Sequence, residues 1–380
     1  MCHRTWGWRN GVAGTKHRRP ESQRDTRRRF EQWADNPRCA ANTISAVHNI
    51  KMAKVAERAG YEPTFGASPF ALFRGDQFER NLLADEGARL LPELERTEVI
   101  ATGASGLHDL RIRMNGGHDS TLLDLDAAED QTLDLLRAIG SARGPAVDEL
   151  PTIVAAATLK LPKGVMLPEA LLIIDLLVVR PGDDDRAEIL VGEVKTYPDR
   201  GGFTDTKQLA QARAQLGLYL HALRTVTVDW DDNERPSFRD DGFLVLSRPG
   251  SDFPRVRANE DLRYQASRAE SGFDLLETAA QLLDVEWDDD AEDVARFDAV
   301  LGADTNYCEA CLSFCDLAER CHAAAVAERN PNILGDEAAR FVGRIDLDRV
   351  CELLDGAAAV DDTERELLDR IRAAEDPGWA

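Results

Sequence analysis

Asp175 interrupts the apolar run "LLIIDLLVV", and Glu193 and Lys195 interrupt "ILVGEVKT". Side chains alternate along a strand, so Glu193 and Lys195 project from one face, one pleat apart. If the turn between the two runs is a regular hairpin, Asp175 lies beside Glu193 and the two carboxylates converge. Two ionised acids in a half-buried sheet repel each other unless a cation stands between them. A hard divalent ion taking oxygen ligands, Mg2+ above all or Mn2+ in its place, meets that need. With Asp175, Glu193 and the Val194 carbonyl holding the ion, the Lys195 amine positions or deprotonates an attacking water and offsets charge on a phosphorane-like transition state. The plainer alternative makes Asp175 a satisfied buried acid and Glu193/Lys195 an exposed pair on an edge strand, and the doublet alone fits either.

These residues require a sheet to carry them and a helix to cover it. "TIVAAATLKL", "EALLIIDLLVVR" and "AEILVGEVKTY" are apolar, β-branched runs separated by "PKGVMLP" and "PGDDDR", a pattern that predicts an antiparallel meander. "TDTKQLAQARAQLGLYLHALRTV" has helical spacing at Leu209, Ala212, Leu216, Leu220 and Leu223. "GFLVLSR" predicts a fourth strand and "EDLRYQASRAESGFDLLETAAQLL" a second covering helix. Three strands, a helix and a strand make an α/β fold with a mixed sheet and helices packed on it. Upstream, "SAVHNIKMAKVAERAG" predicts one helix ending at Gly60, and "GDQFERNLLADEGARLLPEL" a helix opened by Gly75 and stopped near its proline. "YEPTFGASPFALFR" between them reads as a loop, and residues 101–150 show no clear element. Asp76 fits an N-terminal helix charge that complements the dipole.

At this point the residues resemble the PD-(D/E)xK nuclease superfamily and, within it, the RecB-type branch. There an Asp is followed after a hairpin by Glu-x-Lys, and the next helix carries Gln-x-x-x-Tyr. Here these are Asp175, Glu193, Lys195 and "QLGLY", Gln215 to Tyr219. Gln215 and Tyr219 share one helical face. The resemblance implies that they contact substrate and support the metal shell, that the core is a restriction-endonuclease-like mixed sheet, and that an upstream helix adds a metal ligand. Glu79 in "FRGDQFERNLL" fills that place.

Cys308, Cys311, Cys315 and Cys321 crowd into "YCEACLSFCDLAERCH", and in a reducing cytoplasm such a cluster points to a metal rather than to disulfides. Cys39 lies far upstream, while Cys2 and Cys351 are isolated, Cys351 reading as a small buried apolar residue. Some RecB-type nucleases, those of the AddB class and of CRISPR adaptation among them, hold a 4Fe–4S cluster with one Cys before the nuclease domain and three after it. The resemblance implies Cys39, Cys311, Cys315 and Cys321 as ligands, with Cys308 as the substitute. The family spacing is Cys-x2-Cys-x5-Cys, and here the gap before the final x5 is x3, so five cysteines compete for four places. Zn2+ on the four local thiolates is the alternative. Either metal would make folding of a helical appendage metal-dependent.

Composition bounds the rest. The 380 residues carry a formal net charge of −23, yet the first 40 are basic. An acidic body argues against a protein that coats nucleic acid, although an Arg-lined groove remains open to it. No apolar run reaches the roughly 20 residues of a membrane helix and no secretory core is visible, so a cytoplasmic protein without membrane contact is expected. His221, His322 and the acidic turn Asp183–Asp185 read as ordinary structure, and Arg200 and Lys207 as phosphate contacts or solvated charges. The expected organisation is a basic, disordered arm (1–38), a mostly helical part (39–150), the nuclease core (151–260), a helical segment with the Cys cluster (261–330) and a helical appendage (331–380). The function implied is metal-dependent hydrolysis of DNA, as a single-strand exonuclease in repair, recombination or anti-phage defence. Since no phosphate-loop motif occurs, a separate helicase would drive processive work. The competing class is a non-catalytic metal-cluster module that binds nucleic acid or a partner protein.

Overall fold

The computed structural model describes residues 26–65, 69–104, 106–111, 125–161, 171–182, 185–283 and 293–375. Most of the expected disordered arm, with Cys2, lies outside them, as do the turn "PKGVMLP", Asp183 and Asp184; its residues 26–35 are helical, with Phe30 and Trp33 buried. Among the described residues the chain is α/β, with one mixed six-stranded sheet flanked by helices.

The sheet runs in chain order: β1 (Leu107–Asp109), β2 (Ile153–Lys160), β3 (Leu171–Pro181), β4 (Ala187–Pro198), β5 (Ser237–Ser247) and β6 (Pro254–Asp261). β2, β3 and β4 form the antiparallel meander; β1 joins β2 and β5 joins β4 in parallel, and β6 closes the far edge antiparallel to β5. Five helices precede β1 or lead into it: α1 (Thr26–Asp35), α2 (Ala40–His48), α3 (Met52–Ala59), α4 (Pro69–Gly87) and α5 (Leu91–Arg96). α6 (Leu125–Ser141) precedes β2, and α7 (Thr206–Thr227) crosses from β4 to β5, the long connection that a parallel pair requires. After β6 come α8 (Arg263–Leu283), α9 (Asp293–Gly302), α10 (Cys311–Phe314), α11 (Ala318–Ala327), α12 (Gly335–Val342), α13 (Leu347–Leu354) and α14 (Asp362–Glu375).

Apolar residues on both faces of β2–β5 bury the sheet twice. On one face Val154, Ile174, Leu177, Ile189, Val191, Leu244 and Leu246 meet Leu136 and Ile139 of α6, Leu216, Leu220 and Leu223 of α7 and Phe273 of α8. On the other, Leu176, Val178, Leu190, Phe243 and Val245 meet Phe78 and Leu82 of α4 and Leu90 and Leu94 around α5. Each such side chain contributes about 1.5–3 kcal/mol when fully buried. Gly192 lies under the ring of Phe243, where a Cβ would overlap it. Two further cores sit away from the sheet: one joins α2, α3, α9 and the cysteine segment, the other packs α11 against α13 and α14.

Several expectations change. "SAVHNIKMAKVAERAG" is two helices, because Asn49 adopts left-handed backbone (φ 54°) after α2; Gly60 (φ 85°) caps α3. α4 begins at Pro69, so "PFALFR" is helix rather than loop, Gly75 does not open it, and Asp76 sits well inside it rather than at its N-terminus. Pro92 is not a stop but lies in the first turn of α5, where its missing N–H has no helical partner to lose. Cys351 is exposed; Leu347, Val350 and Leu353 form the buried face of α13. β1 and β6 were not foreseen, and β4 is central rather than an edge strand. No helix among the described residues is long and apolar enough to cross a membrane.

Candidate metal centre and cysteine cluster

The ladder between β3 and β4 ends at Leu176↔Gly192, and one further step of the same register sets Asp175 opposite Glu193. There the Asp175 carboxylate replaces a backbone acceptor: Oδ2 takes the Val194 N–H at 2.9 Å. β4 continues along β5, with Glu193 beside Leu244 and Val194 beside Val245. Glu193 is fully buried, and the ammonium of Lys195, itself largely buried, stands against its Oε1. The plainer reading of an exposed pair on an edge is therefore excluded by position.

A backbone irregularity frames Asp175. In both β2 and β3 the alternation of core faces slips by one residue: Val154 and Ala157 share a core, as do Ile174 and Leu177. The residues between include Ala156, which adopts φ 57°, and Asp175, which faces it; the pairs on either side, Ala155↔Leu176 and Ala157↔Ile174, keep register. Left-handed backbone at an alanine is a local strain found preferentially at functional positions.

From the other side α4 brings Glu79, held in place by the buried Phe78 next to it. Glu79 is partly buried, and its carboxyl is pushed up to about 7, first by desolvation and then by the charge of Asp175, against the pull of Arg111. Arg111, just after β1, bridges two acids: Nη1 lies 3.1 Å from Glu79 Oε1, and Nε donates to Asp109 Oδ1 at 2.9 Å. Sequence reading missed Asp109 and Arg111, since a three-residue strand carries no periodicity. Glu79, Asp109 and Asp175 thus gather around Arg111, and across the ladder from Asp175 stands the Glu193–Lys195 pair.

α7 is opened by Asp205, whose Oδ1 accepts from the Lys207 and Gln208 amides at 3.0 Å each. Counting from that cap, Gln215 and Tyr219 fall one turn apart, and Gln215 Nε2 donates to the Tyr219 hydroxyl at 2.6 Å. Both are buried, and Tyr219 packs in the core shared by α7 and the sheet. Gln215 Oε1 is buried with no hydrogen-bond partner among the described residues, an acceptor still to be satisfied. Arg200 and Lys207 are exposed.

The cysteines converge. Cys39, at the N-cap of α2, shares a core with Cys311, Cys315 and Cys321, and the less buried Cys308 packs against it. Cys308 and Cys311 sulfurs are 3.8 Å apart, and every described cysteine is a free thiol. Asn36 ties the end of α1 to the cysteine segment: its Nδ2 donates to the Asn306 carbonyl at 2.7 Å and to Cys311 Sγ at 3.1 Å. The Cys311 thiol is lowered to about 6, chiefly by a hydrogen bond from Cys315, whereas burial raises Cys39 and Cys321. Asp316 caps the Thr64 and Phe65 amides at 2.9 and 3.0 Å, so the cysteine segment also grips the lead-in to α4.

The two donor sets differ in kind. Carboxylate oxygens with a nearby carbonyl suit a hard divalent cation, and a buried set of thiols suits iron–sulfur or zinc. Among the described residues no three or more His, Cys, Asp or Glu side chains stand closely enough to enclose an ion. The fit therefore rests on the chemistry of the two donor sets. The structure defines the class as a mixed-sheet α/β protein with a buried acid–lysine centre. Compared with family models, curated proteins and solved structures, the chain matches none.

Proposed function

We propose that the chain is a divalent-metal-dependent nuclease of the RecB type, with β2–β5 and α7 as a restriction-endonuclease-like core and the cysteine segment as its cluster-binding appendage. One observation carries this reading: the Glu193–Lys195 ion pair lies inside a central strand where the β3–β4 ladder opens, with Asp175 opposite and Glu79 above. An ion pair there is expensive for stability and gives nothing that an apolar pair would not.

Glu79, Asp175, Glu193 and the Val194 carbonyl would hold Mg2+ or Mn2+, which when bound activates water at neutral pH. Lys195 is oriented by Glu193, so its ammonium is fixed where charge develops on the phosphate being attacked. Asp175 is oriented in turn by the Val194 N–H. Gln215 and Tyr219, being buried, support the shell from the α7 side, and Gln215 Oε1 supplies an acceptor toward it. The substrate proposed is single-stranded DNA, degraded exonucleolytically in repair, recombination or anti-phage defence, with a separate helicase for duplexes. The thiol set proposed for a 4Fe–4S cluster is Cys39, Cys311, Cys315 and Cys321, with Cys308 in reserve, in a reducing, cytoplasmic setting.

The test is Mg2+- or Mn2+-dependent hydrolysis of end-labelled single-stranded DNA. Lys195→Ala should lower the rate by about 100-fold or more; equal rates for variant and wild type would overturn the mechanism. For the cluster, anaerobically purified protein should be brown with broad blue-region absorbance. Colourless protein with stoichiometric zinc would select the zinc alternative.

A further inference from the structure

We propose that Arg111 is a built-in counter-cation of the acidic centre, one that occupies Glu79 until a divalent ion displaces it. This rests on the metal-dependent reading above. Of the four carboxylates gathered there, Glu193 has Lys195 and Asp175 has the Val194 N–H. Glu79 has Arg111, at 3.1 Å.

The guanidinium is anchored in a way that allows exchange. Asp109 holds Arg111 through two of its groups: the backbone N–H at 3.1 Å and Nε at 2.9 Å, both on Oδ1. Nε also reaches Asp109 Oδ2 at 3.1 Å. Only Nη1 engages Glu79. A rotation about the outer side-chain bonds would free Glu79 while the Arg111 backbone N–H stays on Asp109 Oδ1. Arg111 lies on the segment directly after β1, and β1 pairs with β2, the strand whose irregular Ala156 faces Asp175, so the arginine is built into the frame that aims the acids.

A ligand that must displace an internal competitor binds with reduced apparent affinity, and removing the competitor restores it. Wild type, Arg111→Gln, Arg111→Lys and Asp175→Asn, all as full chain, would be titrated with Mn2+ while free Mn2+ is followed by electron paramagnetic resonance. Circular dichroism would check that each is folded. Arg111→Gln should bind Mn2+ about ten-fold more tightly than wild type. Arg111→Lys, which keeps the charge but cannot span Asp109 and Glu79 together, should fall between. Asp175→Asn should lose binding. If folded Arg111→Gln and Arg111→Lys both bind Mn2+ as wild type does or more weakly, while Asp175→Asn still loses it, the competitor role fails and the metal centre stands. Mn2+ binding that is absent from wild type and Arg111→Gln alike, or indifferent to Asp175→Asn, defeats the metal reading itself and the competitor role with it.

Discussion

Glu193 has no exposed surface, and the Lys195 ammonium against it is mostly buried as well. Removing one member of such a pair strands a charge in the sheet, whereas replacing both need not. Lys195→Ala should therefore destabilise the protein by about 3–5 kcal/mol in urea denaturation, and Glu193→Leu with Lys195→Met should recover most of that loss while remaining inactive. The comparison separates the pair's structural burden from its chemistry. Asp175, Glu193 and Lys195 were legible in the sequence because a charge inside an alternating apolar run is conspicuous. Arg111 and Asp109 were not, because what makes them part of the centre is the approach of α4 from distant sequence. Nor could the left-handed backbone at Ala156 be foreseen, since no residue type announces it there.

Among the elements, α7 shows how a single cap governs a site. Asp205 fixes where the helix starts, and the start fixes which face carries Gln215 and Tyr219. Asp205→Ala should cost about 1 kcal/mol of stability, with faster amide exchange confined to the first turn of α7. Gly217 lies where α7 crosses α8: a Cβ there would run into the side chain and backbone of Gln265. Gly217→Val should lower the melting temperature more than the cap change does, by forcing α8 away from α7. The acid limit of stability involves another element, α14. Glu364 accepts from Arg349 Nε and Nη2, each at 2.8 Å, and from the Val360 amide at 2.8 Å. The Arg349 guanidinium holds its carboxyl down at about 2, below the usual value of 4.5. A depressed carboxylate stabilises the fold above its unfolded pKa and loses that contribution as pH falls through its folded one. The α13–α14 contact should weaken between about pH 4.5 and pH 2, and Glu364→Gln should flatten that limb of the pH–stability curve. The meander, α7 and α8 were readable because their periods of two and about 3.6 are sustained. β6 was missed because "PRVRANED" alternates charges rather than apolar residues, and the break at Asn49 because its left-handed turn sits inside an otherwise helical pattern.

At the scale of the whole molecule, the sheet and the cysteine core are separate bodies of packing joined through α1, α2 and the lead-in to α4. Cys39→Ser should therefore raise hydrogen exchange in α2, α3 and α9–α11 while β2–β5 stay protected, as measured by mass spectrometry. Protection lost equally in the sheet would show that the two cores unfold as one. The convergence of Cys39 on the downstream cysteines was readable only through the family resemblance. Spacing alone groups the local four and says nothing of a residue so far upstream.

Asn36 and its contacts 270 and 275 residues away carry a consequence for how the protein is made. During synthesis the helices around Cys39 emerge with the apolar surface of Ile44 and Val55 exposed, and their partners in the cysteine segment follow only after the whole sheet has been translated. For that interval the sheet can assemble while the amino-terminal helices wait, which is when a chaperone would be needed. Any product cut short before Cys321 would leave Ile44 and Val55 without the partners that cover them.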